Sequence, residues 1–202
     1  GLLDSKCRIS GKIEYYEMHE SSYTEIDEPE DWNIVESILF ARRKEFERIN
    51  KIKLFVSDVD GVLTDGGMYY SENGEELKKF NTRDGVGFQM IKDLGIKTAI
   101  ITSEDTNIVK NRARKLGIDY LFQGVSKKLN VLQDLCNNLG VKLSEVAFIG
   151  DDNNDTQALK SVGFSACPRN AIDQNKYLVD YVCSADGGEG CVREIAELIV
   201  NL

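Results

Sequence analysis

Two aspartates one residue apart, Asp58 and Asp60, directly follow the apolar run at residues 52–56. Carboxylates at the end of a buried strand cost free energy unless a cation lies between them, and a divalent metal is the simplest such cation. In a parallel α/β sheet the carboxyl ends of the strands are also where ligands bind. Because the same spacing occurs in solvated turns, the motif needs support from the rest of the chain.

Three further polar signals stand where predicted strands end or helices begin. They are Thr102, the lysines Lys127 and Lys128, and the acidic group Asp151, Asp152 and Asp155. Each has a structural alternative, since a threonine can cap a helix, lysines can be solvated surface and aspartates can form an acidic turn. Their convergence on one edge of one sheet favours a common site.

This set of residues matches metal-assisted phosphoryl transfer through an aspartyl-phosphate. Asp58 is the predicted nucleophile, and Asp60 is predicted to protonate the leaving oxygen and then to activate water. Asp58, Asp151 and the backbone carbonyl of Asp60 are the predicted ligands of Mg²⁺, which prefers oxygen donors in an octahedron. Thr102 and one of the lysines then hold the transferring phosphoryl oxygens.

Alternating strand and helix patterns predict the scaffold, a doubly wound and mostly parallel α/β sheet. Strands are predicted at residues 53–57, 97–102, 146–150 and 163–166, with apolar stripes at helical spacing between them. Gly95, Gly117 and Gly140 follow these stripes, where a left-handed residue commonly ends a helix.

An insertion separates the aspartate motif from the first helix of this domain. Asn73-Gly74, flanked by strand-forming residues between positions 67 and 81, predicts a β-hairpin. A lone hairpin is marginally stable, so we expect it to pack against another subunit. The insertion is too short for a large second domain, and the site is therefore predicted to have no cap within one chain.

The first 49 residues differ in kind from residues 50–202, which form the predicted catalytic domain. A weak strand pattern lies at residues 13–16, and Asp31 is predicted to cap an amphipathic helix that reaches about Arg43. Such a segment buries little by itself and must dock on this domain or on another one.

Composition excludes several classes of protein. The 202 residues carry a formal net charge of −9, which argues against binding nucleic acid or an anionic membrane. No apolar run is long enough for a membrane span and no signal-peptide pattern is present, which predicts a cytoplasmic protein. The five cysteines form no Cys-x-x-Cys pair, and the single histidine, His19, excludes a Ser-His-Asp triad.

The motifs resemble those of the haloacid dehalogenase superfamily of phosphohydrolases. The resemblance rests on Asp58, Asp60 and Thr64, on Thr102, on Lys128, and on Gly150, Asp151, Asp152 and Asp155. Residues 81–85, 123–124 and 187–194 further resemble the small capless branch that contains 3-deoxy-manno-octulosonate 8-phosphate phosphatase.

The resemblance implies roles that spacing alone does not. Lys128 rather than Lys127 becomes the phosphate lysine, although the family usually has Asp at position 127. Asp152 and Asp155 become supporting residues behind the metal ligands. The substrate-binding candidates at the start of the helix that follows the hairpin are Asn81, Thr82, Arg83, Asp84 and Gly85. The protein is expected to be a homotetramer in which neighbouring chains close each site.

Position 104 bears on the substrate. Octulosonate phosphatases typically have Thr-Gly-Arg where this chain has Thr102, Ser103 and Glu104. Glu104 with Arg112 and Lys115 resembles the sister clade that acts on the 9-phosphates of 2-keto-3-deoxynononate and N-acylneuraminate. Arg112 can supply a bidentate fork for the substrate carboxylate, whereas Glu104 can either accept sugar hydroxyl hydrogens or pair with Lys115.

The expected function is therefore Mg²⁺-dependent hydrolysis of a 2-keto-3-deoxy sugar acid phosphate, with a nononate or N-acylneuraminate 9-phosphate favoured. One alternative is 3-deoxy-manno-octulosonate 8-phosphate, and another is a non-catalytic oligomerisation module. Residues 27–32, with Tyr15 and Tyr16 before them, resemble the carboxyl end of acylneuraminate cytidylyltransferases, which are sometimes fused to such a phosphatase.

Overall fold

The computed structural model describes residues 27–74 and 76–201, and the chain divides into two units between Lys44 and Glu45. Helix α1 (Pro29–Ile49) begins before Asp31 and extends past the predicted end at Arg43. Asp31 is therefore not the N-cap. Its Oδ2 accepts a hydrogen bond from the backbone amide of Glu28 at 2.9 Å, as an acidic residue in the first turn commonly does. The predicted strand at residues 13–16 lies outside the described residues.

The second unit is built on six parallel strands, which confirms the predicted α/β fold. Their order across the sheet is β5-β4-β1-β6-β7-β8. The strands are β1 (Leu54–Ser57), β4 (Lys97–Ile101), β5 (Tyr120–Phe122), β6 (Val146–Ile149), β7 (Phe164–Cys167) and β8 (Tyr181–Val182). Strand β1 is central, with β4 on one side and β6 on the other, so polar residues after these three strands meet at one edge.

Helices cover both faces of the sheet. They are α2 (Thr82–Asp93), α3 (Asn107–Leu116), α4 (Lys128–Leu139), α5 (Thr156–Leu159), α6 (Asp173–Lys176) and α7 (Cys191–Val200). Apolar residues of α2, α3 and α7 join one core cluster, and those of α4 and α5 join the other. Gly117 and Gly140 end α3 and α4 at φ of 63° and 65°, as their positions predict.

The predicted hairpin is present between β1 and α2. Strands β2 (Tyr69–Tyr70) and β3 (Glu76–Leu77) pair antiparallel, and the turn between them contains Gly74 at φ 78°. The hairpin presents exposed apolar side chains, among them Tyr70 and Leu77, which are 63% and 68% exposed. None of the helices in the described ranges has both the length and the hydropathy that crossing a bilayer requires.

Two glycines of α2 allow a matched test of how tightly this helix packs on α7. A Cβ at Gly87 would lie 2.8 Å from the Cα of Arg193, whereas a Cβ at Gly85 would mainly meet the end of the Leu116 side chain. Backbone cannot yield as a side chain can, so Gly87→Ala should lower the free energy of unfolding by about 1–3 kcal/mol. Gly85→Ala should change it by less than about 1 kcal/mol, because alanine's higher helix propensity offsets the contact. Urea unfolding of both variants measures the difference, and equal stabilities would contradict it.

Candidate active site

The turn after β1 sets the position of the first aspartate motif. The carbonyl of Val59 accepts hydrogen bonds from the amides of residues 62–64 at 3.3, 2.8 and 3.0 Å. Gly61 adopts φ 81°, and a Cβ there would overlap the carboxylate of Asp151. Glycine therefore lets the turn approach the acidic loop that follows β6, and brings Asp58 and Asp151 to one place.

Three carboxylates and one ammonium form the centre of the site. Oxygens of Asp58, Asp151 and Asp155 lie within 4.8 Å of one another. The Nζ of Lys128 lies 2.7 Å from Asp58 Oδ1 and 2.7 Å from Asp155 Oδ1, and its side chain is fully buried. Burial by itself would lower the pKa of Lys128, but the two carboxylates outweigh burial and raise it. The lysine thus stays charged between the two acids.

Asp155 organises the loop more than it faces the cleft. Its Oδ1 accepts from Lys128, while its Oδ2 accepts from the backbone amides of Asp151 and Asp152 at 3.1 and 3.4 Å. Gly150 lies so close that a Cβ there would overlap the Asp155 carboxylate. Both carboxylate oxygens of Asp155 are thus engaged, and its supporting role, which the resemblance implies, stays a prediction.

The other two acids, Asp58 and Asp151, are suited to bind a cation. Asp151 Oδ1 is buried and has no hydrogen-bond partner among the described residues. Burial, and then Asp155, raises the pKa of Asp151 to about 7. Burial and Asp155 likewise raise the pKa of Asp58 well above its usual range, against the opposing effect of Lys128. A bound divalent cation would remove this penalty, so the residues fit Mg²⁺.

A polar cleft of about 220 Å³ opens onto these carboxylates. Five predicted residues line it, namely Asp58, Asp60, Thr102, Asp151 and Asp152. Lys128 is next to the cleft, because its Nζ contacts the Asp58 carboxylate. Sequence reasoning did not assign a role to Ser103 and Asn154, which also line the cleft and are joined by a hydrogen bond of 3.0 Å.

Most of the predicted substrate-binding residues lie outside this cleft. Asn81 caps α2, because its Oδ1 accepts from the amide of Arg83 at 2.9 Å. Thr82 and Gly85 belong to the first turn of α2, and Lys115 is exposed on α3. The carboxylate of Asp84 is buried and accepts from the amide of Arg193 in α7 at 3.2 Å.

Arg112 has a structural environment in this chain. Its Nη2 donates to the carbonyl of Asn81 at 2.8 Å, and its guanidinium lies 5.2 Å from the centre of the Phe80 ring. Arg112 also contributes a positive charge beside Asp84, whose pKa burial nonetheless raises to about 6. In the described chain Arg112 therefore links α3 to the start of α2, and it does not line the cleft.

Glu104 pairs with Lys78 rather than with Lys115. Its Oε2 accepts from Lys78 Nζ at 2.8 Å, and Lys78 also donates to Asp60 Oδ1 at 2.6 Å. Sequence reasoning missed Lys78. The only signal was its place in the predicted hairpin, which lies between the aspartate motif and the next helix.

Two glycines, Gly187 and Gly188, pack against the turn that follows β1. The amide of Gly188 donates to the carbonyl of Val62 at 2.8 Å, and a Cβ at Gly187 would overlap the carbonyl of Gly61. Asn81 Nδ2 also donates to the carbonyl of Gly188 at 3.2 Å. This contact of backbone on backbone fixes the turn that carries Asp60.

This chain is similar in sequence to known proteins. A family model described as haloacid dehalogenase-like hydrolase matches residues 87–163. The 3-deoxy-D-manno-octulosonate 8-phosphate phosphatase KdsC of Haemophilus influenzae is 38% identical over 155 residues, which is 77% of this chain and 86% of that protein. The KdsC of Escherichia coli K12 is 40% identical over 153 residues, which is 76% of this chain and 81% of that protein.

A solved structure is similar to this chain in both sequence and fold. The crystal structure of 3-deoxy-D-manno-octulosonate 8-phosphate phosphatase from Moraxella catarrhalis, in complex with a magnesium ion, a phosphate ion and KDO, is 42% identical. It matches with a TM-score of 0.76 over 77% of this chain and 90% of that one. The chain thus belongs to the haloacid dehalogenase-like hydrolases, in the group of the octulosonate 8-phosphate phosphatases. This confirms the predicted class of enzyme.

The unpartnered Asp151 carboxylate predicts that Mg²⁺ stabilises the folded chain. At a free concentration about 100 times its Kd, the ion should raise Tm by about 5–10 °C, because it binds only the folded state. Asp151→Asn should lose most of this rise. Asp152→Asn removes the same charge from the same loop and should keep it, since Asp152 is not one of the three clustered carboxylates.

Thermal melts with Mg²⁺ and with EDTA measure the effect in the three proteins. An unchanged Mg²⁺ response in Asp151→Asn would contradict the site.

Proposed function

We propose that this chain is a Mg²⁺-dependent phosphatase of 3-deoxy-D-manno-octulosonate 8-phosphate or a closely similar sugar acid phosphate. The observation that carries the proposal is Lys128, buried between Asp58 and Asp155 beside Asp151, whose Oδ1 has no hydrogen-bond partner among the described residues. A merely structural module has no need for buried charges, which cost stability. Their position at the carboxyl ends of β1 and β6 is where this fold binds ligands.

Asp58 is the proposed nucleophile. One of its carboxylate oxygens attacks phosphorus, and the bond from phosphorus to the sugar oxygen breaks, which gives an aspartyl-phosphate. Lys128 and Thr102 bind the phosphoryl oxygens, since Thr102 lines the cleft with Asp58 and Lys128 Nζ contacts the Asp58 carboxylate. Asp58, Asp151 and the carbonyl of Asp60 would hold Mg²⁺, which would neutralise part of the phosphoryl charge.

Asp60 is the proposed acid and base. It gives its proton to the departing sugar oxygen, and then takes a proton from the water that hydrolyses the aspartyl-phosphate. Both protons are accounted for, because the carboxylate formed in the first step is the base of the second. Thr64 Oγ1 lies 3.3 Å from Asp60 Oδ1 and helps to orient the side chain.

The relatives favour the eight-carbon substrate over the nine-carbon substrates that Glu104 suggests. All the named curated relatives are octulosonate 8-phosphate phosphatases, and the contact of Glu104 with Lys78 gives this residue a function other than binding the sugar. The nine-carbon phosphates remain the second candidates because of the Ser103-Glu104 sequence.

Assembly and context belong to the same proposal. The exposed apolar side chains of the hairpin, such as Tyr69 and Leu77, support packing against other subunits, in a homotetramer. We further propose that residues 1–49 are the end of a cytidylyltransferase-like region and residues 50–202 the phosphatase. A longer parent protein would then dephosphorylate the sugar acid and activate it with CTP.

Replacement of the nucleophile tests the mechanism. Asp58→Asn should reduce phosphate release by at least about 10⁴-fold, because the amide cannot form the covalent intermediate. Asp93→Asn is the matched control, since it removes an equal charge from an exposed position that only accepts from Gln89. Normal turnover by Asp58→Asn would refute the mechanism, and inactivity of the unaltered protein would favour the non-catalytic module.

A substrate panel tests the specificity. We expect kcat/KM to be highest for octulosonate 8-phosphate among this sugar, 2-keto-3-deoxynononate 9-phosphate and N-acetylneuraminate 9-phosphate. One misplaced methylene or hydroxyl changes kcat/KM by about 10–200-fold, so the order should be clear from phosphate release. A higher value for either nononate would overturn the eight-carbon assignment and leave the phosphatase assignment intact.

A further inference from the structure

Lys78 is a buried lysine in a hairpin that is otherwise exposed. Its side chain is 1% exposed, and Nζ lies 2.6 Å from Asp60 Oδ1 and 2.8 Å from Glu104 Oε2. Glu76 Oε1 lies at 3.3 Å on the hairpin itself. One ammonium thus connects the hairpin to the turn after β1 and to the loop after β4, which are the two segments that border the cleft.

We propose that Lys78 is a positioning residue for Asp60, and that Glu104 acts through Lys78 rather than on the substrate. This inference rests on the proposed function, in which Asp60 is the acid and base. It assigns a task to the hairpin within a single chain, in addition to contacts between subunits.

The first support is the choice of oxygen on Asp60. The hydrogen bonds that described residues make to this carboxylate, from Lys78 and from Thr64, both fall on Oδ1. Oδ2 is therefore the oxygen left to exchange a proton. Because the Asp60 side chain is 33% exposed, packing alone does not fix its rotation, and the two hydrogen bonds must do so.

The second support is the charge around Lys78. Its ammonium lies within 3.3 Å of three carboxylates, those of Asp60, Glu104 and Glu76. A buried ammonium is stable only with such partners, so removal of the Glu104 carboxylate weakens the hold on Lys78. The amide of Glu104 also lies 3.4 Å from Thr102 Oγ1, which ties this loop to the predicted phosphate-binding residue.

A purely structural role for Lys78 makes a different prediction. If Lys78 only attached the hairpin, its loss would lower stability and would reduce activity on all substrates alike. If it positions the acid, its loss matters most where the leaving oxygen needs a proton. A sugar alkoxide needs one, whereas p-nitrophenolate leaves without it.

The experiment compares two substrates, p-nitrophenyl phosphate and the sugar phosphate that the wild type hydrolyses fastest. The quantity compared is kcat/KM, because it reports the steps up to the first phosphoryl transfer. Lys78→Met should lose about 10–100-fold on the sugar phosphate and less than about threefold on p-nitrophenyl phosphate. Lys78→Arg, which keeps the charge, should recover part of the loss. Lys79→Met is the matched control and should change neither value, since Lys79 pairs with Glu189 on the surface.

A double-mutant cycle tests the role of Glu104. Glu104→Ala should lower kcat/KM for the sugar phosphate in the wild type and should have little further effect in Lys78→Met, because both changes act through one contact. Three results would each overturn the inference. The first two are that Lys78→Met loses kcat/KM equally on the two substrates, or that it loses none. The third is that Glu104→Ala raises KM in the Lys78→Met background by as much as it does in the wild type.

The two proposals fail separately. Turnover by Asp58→Asn overturns the proposed function, whereas an inactive Asp58→Asn together with a fully active Lys78→Met overturns only the role of Lys78.

Discussion

The architecture of the site depends on the charge balance around Lys128. This buried ammonium faces Asp58 and Asp155, and Asp151 lies beside them, so three carboxylates share one lysine. Such a cluster is costly in a protein interior unless a further positive charge completes it. The need for a cation thus follows from the folded chain itself, and the cleft of about 220 Å³ gives the cation and a phosphoryl group access.

Three strand ends and two glycines bring the charged residues of this cluster together. Strand β1 lies between β4 and β6, which brings the loops that carry Asp58, Thr102 and Asp151 to one edge. Gly61 then lets the turn approach the Asp151 carboxylate, and Gly187 lets two backbone segments meet, in both cases more closely than a Cβ would allow. Of the substrate-binding candidates at residues 81–85, Asn81 instead contacts Arg112 of α3 and Asp84 contacts Arg193 of α7, outside the cleft.

The sequence predicts the local features of this site well and the long-range contacts less well. Strands β1, β4, β6 and β7 have strong apolar patterns that end in polar motifs, whereas β5 and β8, with three and two residues, are too short to give one. Arg112 is a plausible carboxylate ligand by residue type, yet its contact with Asn81 depends on how α3 packs. Lys78 resembles any surface lysine until the hairpin places it on Asp60.

Residue 104 is connected to the proposed acid, Asp60, through Lys78. The residues proposed to bind the phosphoryl group, Thr102 and Lys128, lie at the sheet edge. The Asp60 carboxylate, in contrast, is held by Lys78, which is held in turn by Glu104. In the proposed mechanism, a substitution at position 104 therefore alters the orientation of the acid through Lys78. Lys78 and the rest of the hairpin are then the places where a compensating change is expected.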